Sequence, residues 1–361
     1  MEKRIEIVKN IDDILKKKNE WNQLLERSAI SNVFLTWEWC VAWIYTYIQD
    51  FNDLFIIFLY IENELYGIAP FYLKYESIGI TKVKKLLFIG TPYAGSDYME
   101  IIQKKGKEKI VTDLLYNFLM NEGKHFWNKI DFIDVPSDSL FLMHFSNNIE
   151  HDGKYYELKK ASYSPIATIS SNEEKFFLKM SKSFRKKFKQ DVRVFHRNNT
   201  ARHHTRSDKI VSSDIIKYFR FYKKMTDYES EKFKQLLIKY NKLCPDHAII
   251  QIDYLEVDNR DVAALLHLRY KNILSMYLMV IDKYYNPKIS LGNIIVGLSI
   301  KNEINSEITE YDFLKGEESY KFHWSNKGKR SVSIKFWQDC TICKISALIE
   351  ESKNIGKLIL R

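Results

Sequence analysis

The chain has 361 residues, of which 45% are hydrophobic and 28% are charged, and its formal net charge at pH 7 is +10. This composition is ordinary for a globular protein and excludes a disordered chain, while the length favours roughly two domains that each bury a core. The longest apolar runs, FIIFLYI from Phe55 and ILSMYLMVI from Ile273, are far shorter than the ~20 residues that span a bilayer.

Cysteine content and charge set further expectations. The four cysteines are too few and too scattered for a disulfide framework, and no apolar N-terminal segment predicts secretion. We therefore expect a reduced, cytoplasmic protein, either free or peripheral to the inner face of the membrane. The positive charge favours anionic partners such as nucleic acid, phosphorylated cofactors or an anionic membrane surface. A lysine-rich proteome would explain the same charge equally well.

The first half of the chain predicts a hairpin, a helix and a strand. The segments DLFIIFLYI and ELYGIAPFYLKY flank Glu62 and Asn63, which suit a hairpin turn. A helical pattern runs from Lys107 to about Glu122, and the strand KIDFIDVP begins at Lys129.

The loop GTPYAGSDYMEI lies between that hairpin and that helix. Loops on a rigid scaffold often carry binding residues, so Asp97 and Tyr98 are candidates for substrate binding, with Asp97 orienting an amine or a sugar hydroxyl. A polar turn before a strand is the alternative. Trp37, Trp39 and Trp43 could line a sugar site, although their spacing favours a packed helix start.

The second half repeats the order of hairpin, helix and strand. The segments DVAALLHLRY and ILSMYLMVID flank Lys271 and Asn272, and SLGNIIVGLSIKNEI leads into the strand that holds Asp312. Such a duplication favours two α+β domains of similar fold over one long sheet.

The boundary between the two halves is predicted within SYSPIATISS, residues 162–171, where small residues and a proline concentrate. This boundary gives an N-terminal domain of residues 1–165 and a C-terminal domain of residues 166–361.

A basic helical segment follows the boundary. Phe184, Phe188, Val192 and Phe195 recur at helical spacing in SKSFRKKFKQDVRVFHRNN. Residues 181–206 contain nine Lys or Arg residues and a single acid. This imbalance predicts a phosphate-binding or substrate-binding face that includes Arg185 and Lys186, and a solvated helix face is the alternative.

Several segments, taken in order, resemble a known family. SKSFRKKFKQ, the second hairpin, YYNPKISLGNIIVGLSI and YDFLKGEESYKFHW resemble the second domain of the CelD-like acetyltransferases, which are named for cellulose biosynthesis. That family belongs to the GNAT superfamily and is related to the Fem-type peptidyltransferases. NVFLTWEWCVAW, YGIAPFYL and FIGTPYAGSDYMEII are similar to the N-terminal region of the same proteins.

This resemblance covers nearly the whole chain and implies a fold. The fold class is α+β, with two tandem GNAT-like domains that are each a mixed, mostly antiparallel sheet flanked by helices. The order and spacing of the segments carry the resemblance, because DFLKG or YKFHW alone is not specific.

The resemblance also implies acetyl-CoA, or another acyl-CoA, as co-substrate and no metal. The acyl-CoA loop pattern of most GNAT enzymes is not present, and NPKISLGN occupies the equivalent place. There a chain turn leads into a helix, so free backbone N–H groups would point outward and suit a pyrophosphate. An ordinary capped helix is the alternative. The candidate cofactor-binding residues are Lys288, Ile289, Ser290, Gly292 and Asn293.

The GNAT resemblance implies attack by an amine, or less often a hydroxyl, on a thioester. This reaction needs a base, a donor to the thioester oxygen and a positioned acceptor. Asp312 is the first candidate base, and the alternative is that it anchors a turn or pairs with Lys321. Tyr320 is a candidate donor to the leaving thiolate, and Lys321 can neutralise a phosphate or a carboxylate. His323 suits acid–base work, whereas we expect His267 to be a hydrogen-bonded structural histidine.

Other motifs are weak. Cys340 and Cys343 form a CxxC pair without a second pair at zinc spacing, so no metal site is expected. The helical pattern of TICKISALIEESKNI places both on one buried helix face. The lack of GxxxxGK and GxGxxG argues against an NTPase or a dinucleotide enzyme.

The leading interpretation is an acyl-CoA-dependent N-acyltransferase that modifies a small-molecule or lipid-linked amino sugar, or a related precursor, in cell-envelope or exopolysaccharide biosynthesis. The family name supplies the polysaccharide context. One alternative is Fem-type transfer of an amino acid from aminoacyl-tRNA, for which the basic segment would bind tRNA. The other is a non-catalytic protein that binds nucleic acid through Arg185, Lys186 and Lys187.

Overall fold

The chain divides into two compact units. The first comprises Met1–Ser162 and Arg330–Arg361, and the second comprises Tyr163–Lys329. The structure is a computed structural model that describes residues 2–30, 32–207, 210–226, 230–244 and 248–359, and the side chains of all of these except 248, 249 and 353–359. Within these ranges, no helix has both the length and the apolar content that crossing a membrane requires.

Helices and strands are numbered in chain order. The first unit contains β1 (Lys3–Val8), α1 (Ile11–Lys16), α2 (Lys18–Glu26), α3 (Trp37–Tyr47), β2 (Leu54–Ile61), β3 (Glu64–Ile78), β4 (Thr81–Phe88), β5 (Ile102–Gln103), α4 (Glu108–Met120), β6 (Lys129–Pro136) and α5 (Leu140–His151). The second unit contains α6 (Glu173–Leu178), α7 (Lys182–Phe195), β8 (Arg202–Arg206), α8 (Ser212–Thr226), α9 (Glu231–Leu243), β9 (Ala248–Val257), β10 (Arg260–Tyr270), β11 (Ile273–Ile281), α10 (Leu291–Glu303), β12 (Glu310–Asp312) and α11 (Ser319–Trp324).

Two strands cross the division between the units. They are β7 (Tyr156–Thr168) and β13 (Lys327–Trp337), and α12 (Thr341–Ile359) follows β13 in the first unit.

Both units pair their strands in the same pattern. In the first, β1, β2, β3 and β4 are antiparallel in turn, β4 is parallel to β6, and β6 is antiparallel to β13. In the second, β8, β9, β10 and β11 are antiparallel in turn, β11 is parallel to β12, and β12 is antiparallel to β7. A helix, α4 or α10, precedes each parallel strand, as a parallel connection requires. The predicted α+β class, with mostly antiparallel pairing and flanking helices, is confirmed.

The C-terminal segment returns to the first unit. The predicted boundary at 162–171 includes the observed division after Ser162. The predicted C-terminal domain, 166–361, differs from the structure because Arg330–Arg361 is part of the first unit. The reason is that Ser331–Trp337 of β13 pairs with β6, a long-range contact that no local pattern in the sequence indicates.

The two predicted hairpins are present, and their turns hold residues in left-handed backbone conformations. Glu62 and Asn63 have φ angles of 50° and 65° between β2 and β3, and Lys271 has a φ angle of 50° between β10 and β11. Two-residue turns of this kind match the twist of the flanking strands, and the turn sets the register of the hairpin.

Gly297 allows α10 to approach two aromatic side chains in the core of the second unit. A Cβ atom on Gly297 would overlap the ring of Phe188 in α7 and lie 2.6 Å from Cη2 of Trp324 in α11. The Trp324 ring also packs on Phe184 and Phe188, with centroids 4.9 and 5.3 Å away. Aromatic packing over a glycine therefore holds α7 and α11 against α10.

We expect Gly297→Ala to destabilise the protein, because overpacking typically costs about 1–3 kcal/mol and exceeds the ~1 kcal/mol that alanine gains over glycine in a helix. Gly292→Ala in the same helix is the matched control. Its Cβ would lie 3.5 Å from Met279, which is ordinary contact, so this variant should be as stable as the wild type or slightly more so. Urea unfolding measures both. A Gly297→Ala variant that unfolds at or above the wild-type midpoint would contradict the packing model.

Candidate active site

Asp312 lies where two parallel strands separate. Residues Ile273–Ser275 of β11 pair with Glu310–Asp312 of β12, after which β12 ends while β11 continues. The carboxyl ends of parallel strands are common ligand positions in α/β sheets. Asp312 is only 3% exposed, and its Oδ1 accepts a hydrogen bond of 2.8 Å from the N–H of Leu314. The carboxylate therefore fixes the start of the loop that follows β12.

Lys321 holds the same loop from α11. Its Nζ donates to the C=O of Lys315 at 2.9 Å and to the C=O of Leu314 at 3.4 Å, and it pairs with Glu318 at 3.0 Å. Gly316 has a φ angle of 129°, and a Cβ there would overlap Glu318 and lie 2.8 Å from Nζ of Lys321. Lys321 is 3% exposed, so its ammonium group interacts with the loop rather than with solvent.

The other two predicted catalytic residues have different environments. Tyr320 is half-buried, and this burial, followed by the charge of Glu318, raises the pKa of its hydroxyl well above the ordinary value. At neutral pH the hydroxyl is therefore protonated and able to donate. His323 is exposed, and its ring stacks on Phe184 of α7 with the centroids 4.7 Å apart. The structure thus brings Asp312 and Lys321 to one loop and places His323 against α7.

A carboxylate of α7 occupies part of the predicted pyrophosphate site at the start of α10. The N–H of Ser290 donates to Oδ2 of Asp191 at 3.2 Å, and the N–H of Asn293 donates to Oγ of Ser290 at 3.3 Å. The N–H of Ile289 donates to the C=O of Asn286 at 3.3 Å. Three of the amides expected to be free already have acceptors, so that expectation is wrong for Ile289, Ser290 and Asn293, whereas pyrophosphate binding at this stretch stays a prediction.

The Asp191 carboxylate is itself buried and paired. Asp191 is 1% exposed, and its Oδ1 lies 2.6 Å from Nζ of Lys187, which also donates to the C=O of Lys288 at 3.0 Å. A carboxylate at a helix N-terminus interacts favourably with the helix dipole. The same charge repels a phosphate placed there. Of the other predicted cofactor-binding residues, Lys288 is exposed and Gly292 is buried.

The predicted substrate-binding residues lie in two places. Asp97 and Tyr98 are in the first unit and are 1% and 8% exposed. Nδ2 of Asn32 donates to both of their carbonyl groups, at 3.1 and 2.9 Å. This burial supports the polar-turn alternative for the loop, and an acceptor contact of Asp97 stays a prediction. Arg185 is half-buried and Lys186 is exposed, both on α7.

A buried polar network in the second unit has no counterpart among the predicted site residues. Asp253, His267, Ser299 and Tyr311 are each completely buried. Nε2 of His267 lies 2.8 Å from the hydroxyl of Tyr311, Nδ1 lies 3.3 Å from Oδ2 of Asp253, and Oγ of Ser299 donates to Asp253 at 3.2 Å. Burial alone would raise the pKa of the Asp253 carboxyl, but hydrogen bonds from His203 and His267 hold it well below its usual range.

This network combines serine, histidine and aspartate without forming a nucleophile site, because none of the three side chains reaches solvent. His267 therefore has the position expected of a hydrogen-bonded structural histidine. The apolar alternation of LLHLRY was a signal for its burial, but its partners come from distant parts of the chain. Within the described ranges, no group of three or more His, Cys, Asp or Glu side chains is arranged to hold a metal ion.

Residues 182–322 match a family model described as an Acetyltransferase (GNAT) domain. This segment is a GNAT-type acyltransferase domain. The match begins at α7 and includes Asp312, Tyr320 and Lys321, whereas His323 lies just outside it. The GNAT type implies use of an acyl-CoA in general. No curated protein matches the chain.

Solved structures share the fold across nearly the whole chain. FemX has a TM-score of 0.59 at 9% identity and covers 94% of this chain and 98% of its own. L-PGS from Bacillus licheniformis has a TM-score of 0.54 at 10% identity, with 92% and 96% covered. A tandem GNAT protein from the clavulanic acid biosynthesis pathway has a TM-score of 0.52 at 7% identity, with 92% and 98% covered. At these identities the likenesses show the fold alone, which is that of tandem GNAT proteins.

We expect Asp191→Asn to raise the affinity for acetyl-CoA about tenfold or more if the CoA pyrophosphate contacts the start of α10. The substitution removes a negative charge and leaves its partner Lys187 free to attract a phosphate, and ~1.4 kcal/mol of added attraction corresponds to a tenfold change. It keeps an oxygen that accepts from Ser290. Isothermal titration measures the affinity, and Glu174→Gln, an exposed acid on α6, controls for net charge. Equal affinity in wild type and Asp191→Asn would place the pyrophosphate elsewhere.

Proposed function

We propose that this protein transfers an acyl group, most simply acetyl, from an acyl-CoA to the amine of an amino sugar or a related precursor. The observation that carries the proposal is the GNAT match, which includes the loop where Asp312 and Lys321 meet at the end of β12. The resemblance to CelD-like proteins supports a small-molecule or lipid-linked acceptor in cell-envelope or exopolysaccharide biosynthesis.

In this proposal Asp312 accepts the proton of the amine while the nitrogen attacks the thioester carbonyl. The new bond joins nitrogen to the acyl carbon, and the carbon–sulfur bond breaks. Tyr320, which carries its proton at neutral pH, then gives that proton to the leaving thiolate. Lys321 positions the loop through Lys315 and Glu318 rather than touching substrate.

A second candidate is Fem-type transfer of an amino acid from aminoacyl-tRNA to a peptidoglycan precursor. Asp191 favours it, because a buried carboxylate at the start of α10 opposes a pyrophosphate there. The fold shared with FemX is compatible with it. The exposed basic residues of α7 would meet the tRNA backbone: Lys182, Lys186, Lys187, Lys189 and Arg193.

Ligand-dependent stability separates the two candidates. A donor that binds only the folded state, at about 100 times its Kd, should stabilise the protein by ~2.7 kcal/mol. We expect acetyl-CoA to do so in urea unfolding experiments, and aminoacyl-tRNA to have no effect beyond that of an unrelated RNA. Stabilisation by aminoacyl-tRNA alone, with affinity that falls steeply as salt rises, would replace the first candidate by the second.

Two substitutions of Asp312 separate its charge from its hydrogen bond. Asp312→Asn keeps an oxygen for Leu314 but removes the base, so we expect turnover to fall by about two to four orders of magnitude with little loss of stability. Asp312→Ala also leaves a buried N–H without its acceptor and should lower the free energy of unfolding by about 1–3 kcal/mol. Glu310→Gln, on the same strand, is the control. A folded Asp312→Asn variant with wild-type turnover would show that Asp312 only anchors the loop.

A further inference from the structure

A cavity in the first unit lies beside the CxxC pair. Its volume is about 600 Å³, and β13, the start of β7 and the first turns of α12 line it. Cys343 forms part of its wall, next to Trp337 and Lys344. Small-molecule pockets commonly measure about 300–1,000 Å³, so this cavity has the size of a ligand site.

The two thiols are in contact at the start of α12. Cys340 precedes the helix and is partly exposed, whereas Cys343 is completely buried. Their Sγ atoms are 2.6 Å apart, and the N–H of Cys343 donates to Sγ of Cys340 at 3.2 Å. The prediction that both lie on one buried helix face is therefore wrong for Cys340, because it occupies the position of a helix cap.

We propose that Cys340 and Cys343 form a thiol–disulfide exchange site for a small peptide disulfide. Cys340 does not itself line the cavity, but its sulfur contacts Cys343, which does, so part of the disulfide molecule would bind in the cavity while its sulfur atoms reach Cys340. In the first step the Cys340 thiolate attacks one sulfur of the external disulfide, forms a mixed disulfide and releases one thiol. In the second step Cys343 attacks Sγ of Cys340 and the mixed disulfide bond breaks. The proton of Cys343 passes to the departing sulfur, which leaves as the second thiol. The protein gains one intrachain disulfide, and the external disulfide is reduced to two thiols.

The positions of the two sulfurs assign their roles. Cys340 is the more accessible residue of the two and lies at the start of α12, whereas Cys343 is completely buried. Burial, together with the contact to Cys340, raises the pKa of the Cys343 thiol to about 12. Cys343 therefore stays protonated until a mixed disulfide forms next to it, which is the behaviour of a resolving cysteine.

The lining of the cavity indicates the class of disulfide. Its lining includes the basic residues Lys154 and Lys344 and the acidic residues Glu157 and Glu351. Trp337 adds an apolar surface. This mixture suits a peptide disulfide that carries both ammonium and carboxylate groups, such as glutathione disulfide, better than an uncharged one. The exchange site does not depend on the proposed acyl transfer.

The test uses the full-length chain in buffers of increasing glutathione disulfide fraction, followed by acid quench, alkylation and mass spectrometry. We expect the wild type to lose both thiols, at 340 and 343, in one transition and without a lasting glutathione adduct, and dithiothreitol should restore them. Cys343→Ser should accumulate a glutathione adduct at Cys340, because the resolving thiol is gone. Cys340→Ser should leave Cys343 unmodified. Cys244→Ala, in the second unit, is the control and should behave as the wild type.

Two results would overturn the exchange site: a stable glutathione adduct at Cys340 in the wild type, or reduced thiols at both positions in every buffer. Circular dichroism establishes that each variant is folded, and Cys343→Ala replaces the serine variant if that one is not. The cavity is tested with the neutral 2-hydroxyethyl disulfide. We expect oxidation by glutathione disulfide to be about tenfold faster, and equal rates would show that the cavity does not select the disulfide.

Discussion

The carboxylate of Asp191, which contacts the start of α10, is the interaction on which the arrangement of α7 and α10 depends. It accepts from Ser290, pairs with Lys187 and is almost fully buried, so it is a fixed charged acceptor at a helix end. Elsewhere such a helix end attracts anions through its free N–H groups and its dipole. Here the protein supplies its own anion, and any phosphate must compete with a partner that is covalently part of the chain.

Two kinds of contact make α7 part of the acyltransferase unit. Asp191 joins α7 to the start of α10, and one turn earlier Phe188 packs over Gly297 near the middle of α10. The basic residues of α7 therefore lie on the side of the helix that faces away from these core contacts. A helix whose charge pattern predicts a binding surface is at the same time a packing element, and the two roles occupy different sides of it.

Local patterns accounted for the second hairpin, α7, α10 and β12 of the second unit, and long-range contacts accounted for what they missed there. The hairpin around Lys271, helix α10 and the short strand ending at Asp312 follow from alternation, helical spacing and turn residues. The sequence also shows Asp191 as the one acid of a basic helix. Its partner Ser290 is 99 residues away along the chain, so no local pattern indicates the contact. The pairing of β13 with β6 in the first unit could not be predicted for the same reason.

Burial separates the polar residues that can meet a substrate from those that cannot. Asp253, His267 and Tyr311 have the chemistry of a proton relay, yet all three are sealed inside the sheet and bonded to one another. Such a buried network stabilises one arrangement, and removing a member leaves its partner unpaired at high cost, as for His267 and Tyr311. Tyr311 directly precedes Asp312, so this network holds β12 in position from within. The position of the Asp312 carboxylate at the strand end therefore depends on a buried network that does not reach solvent.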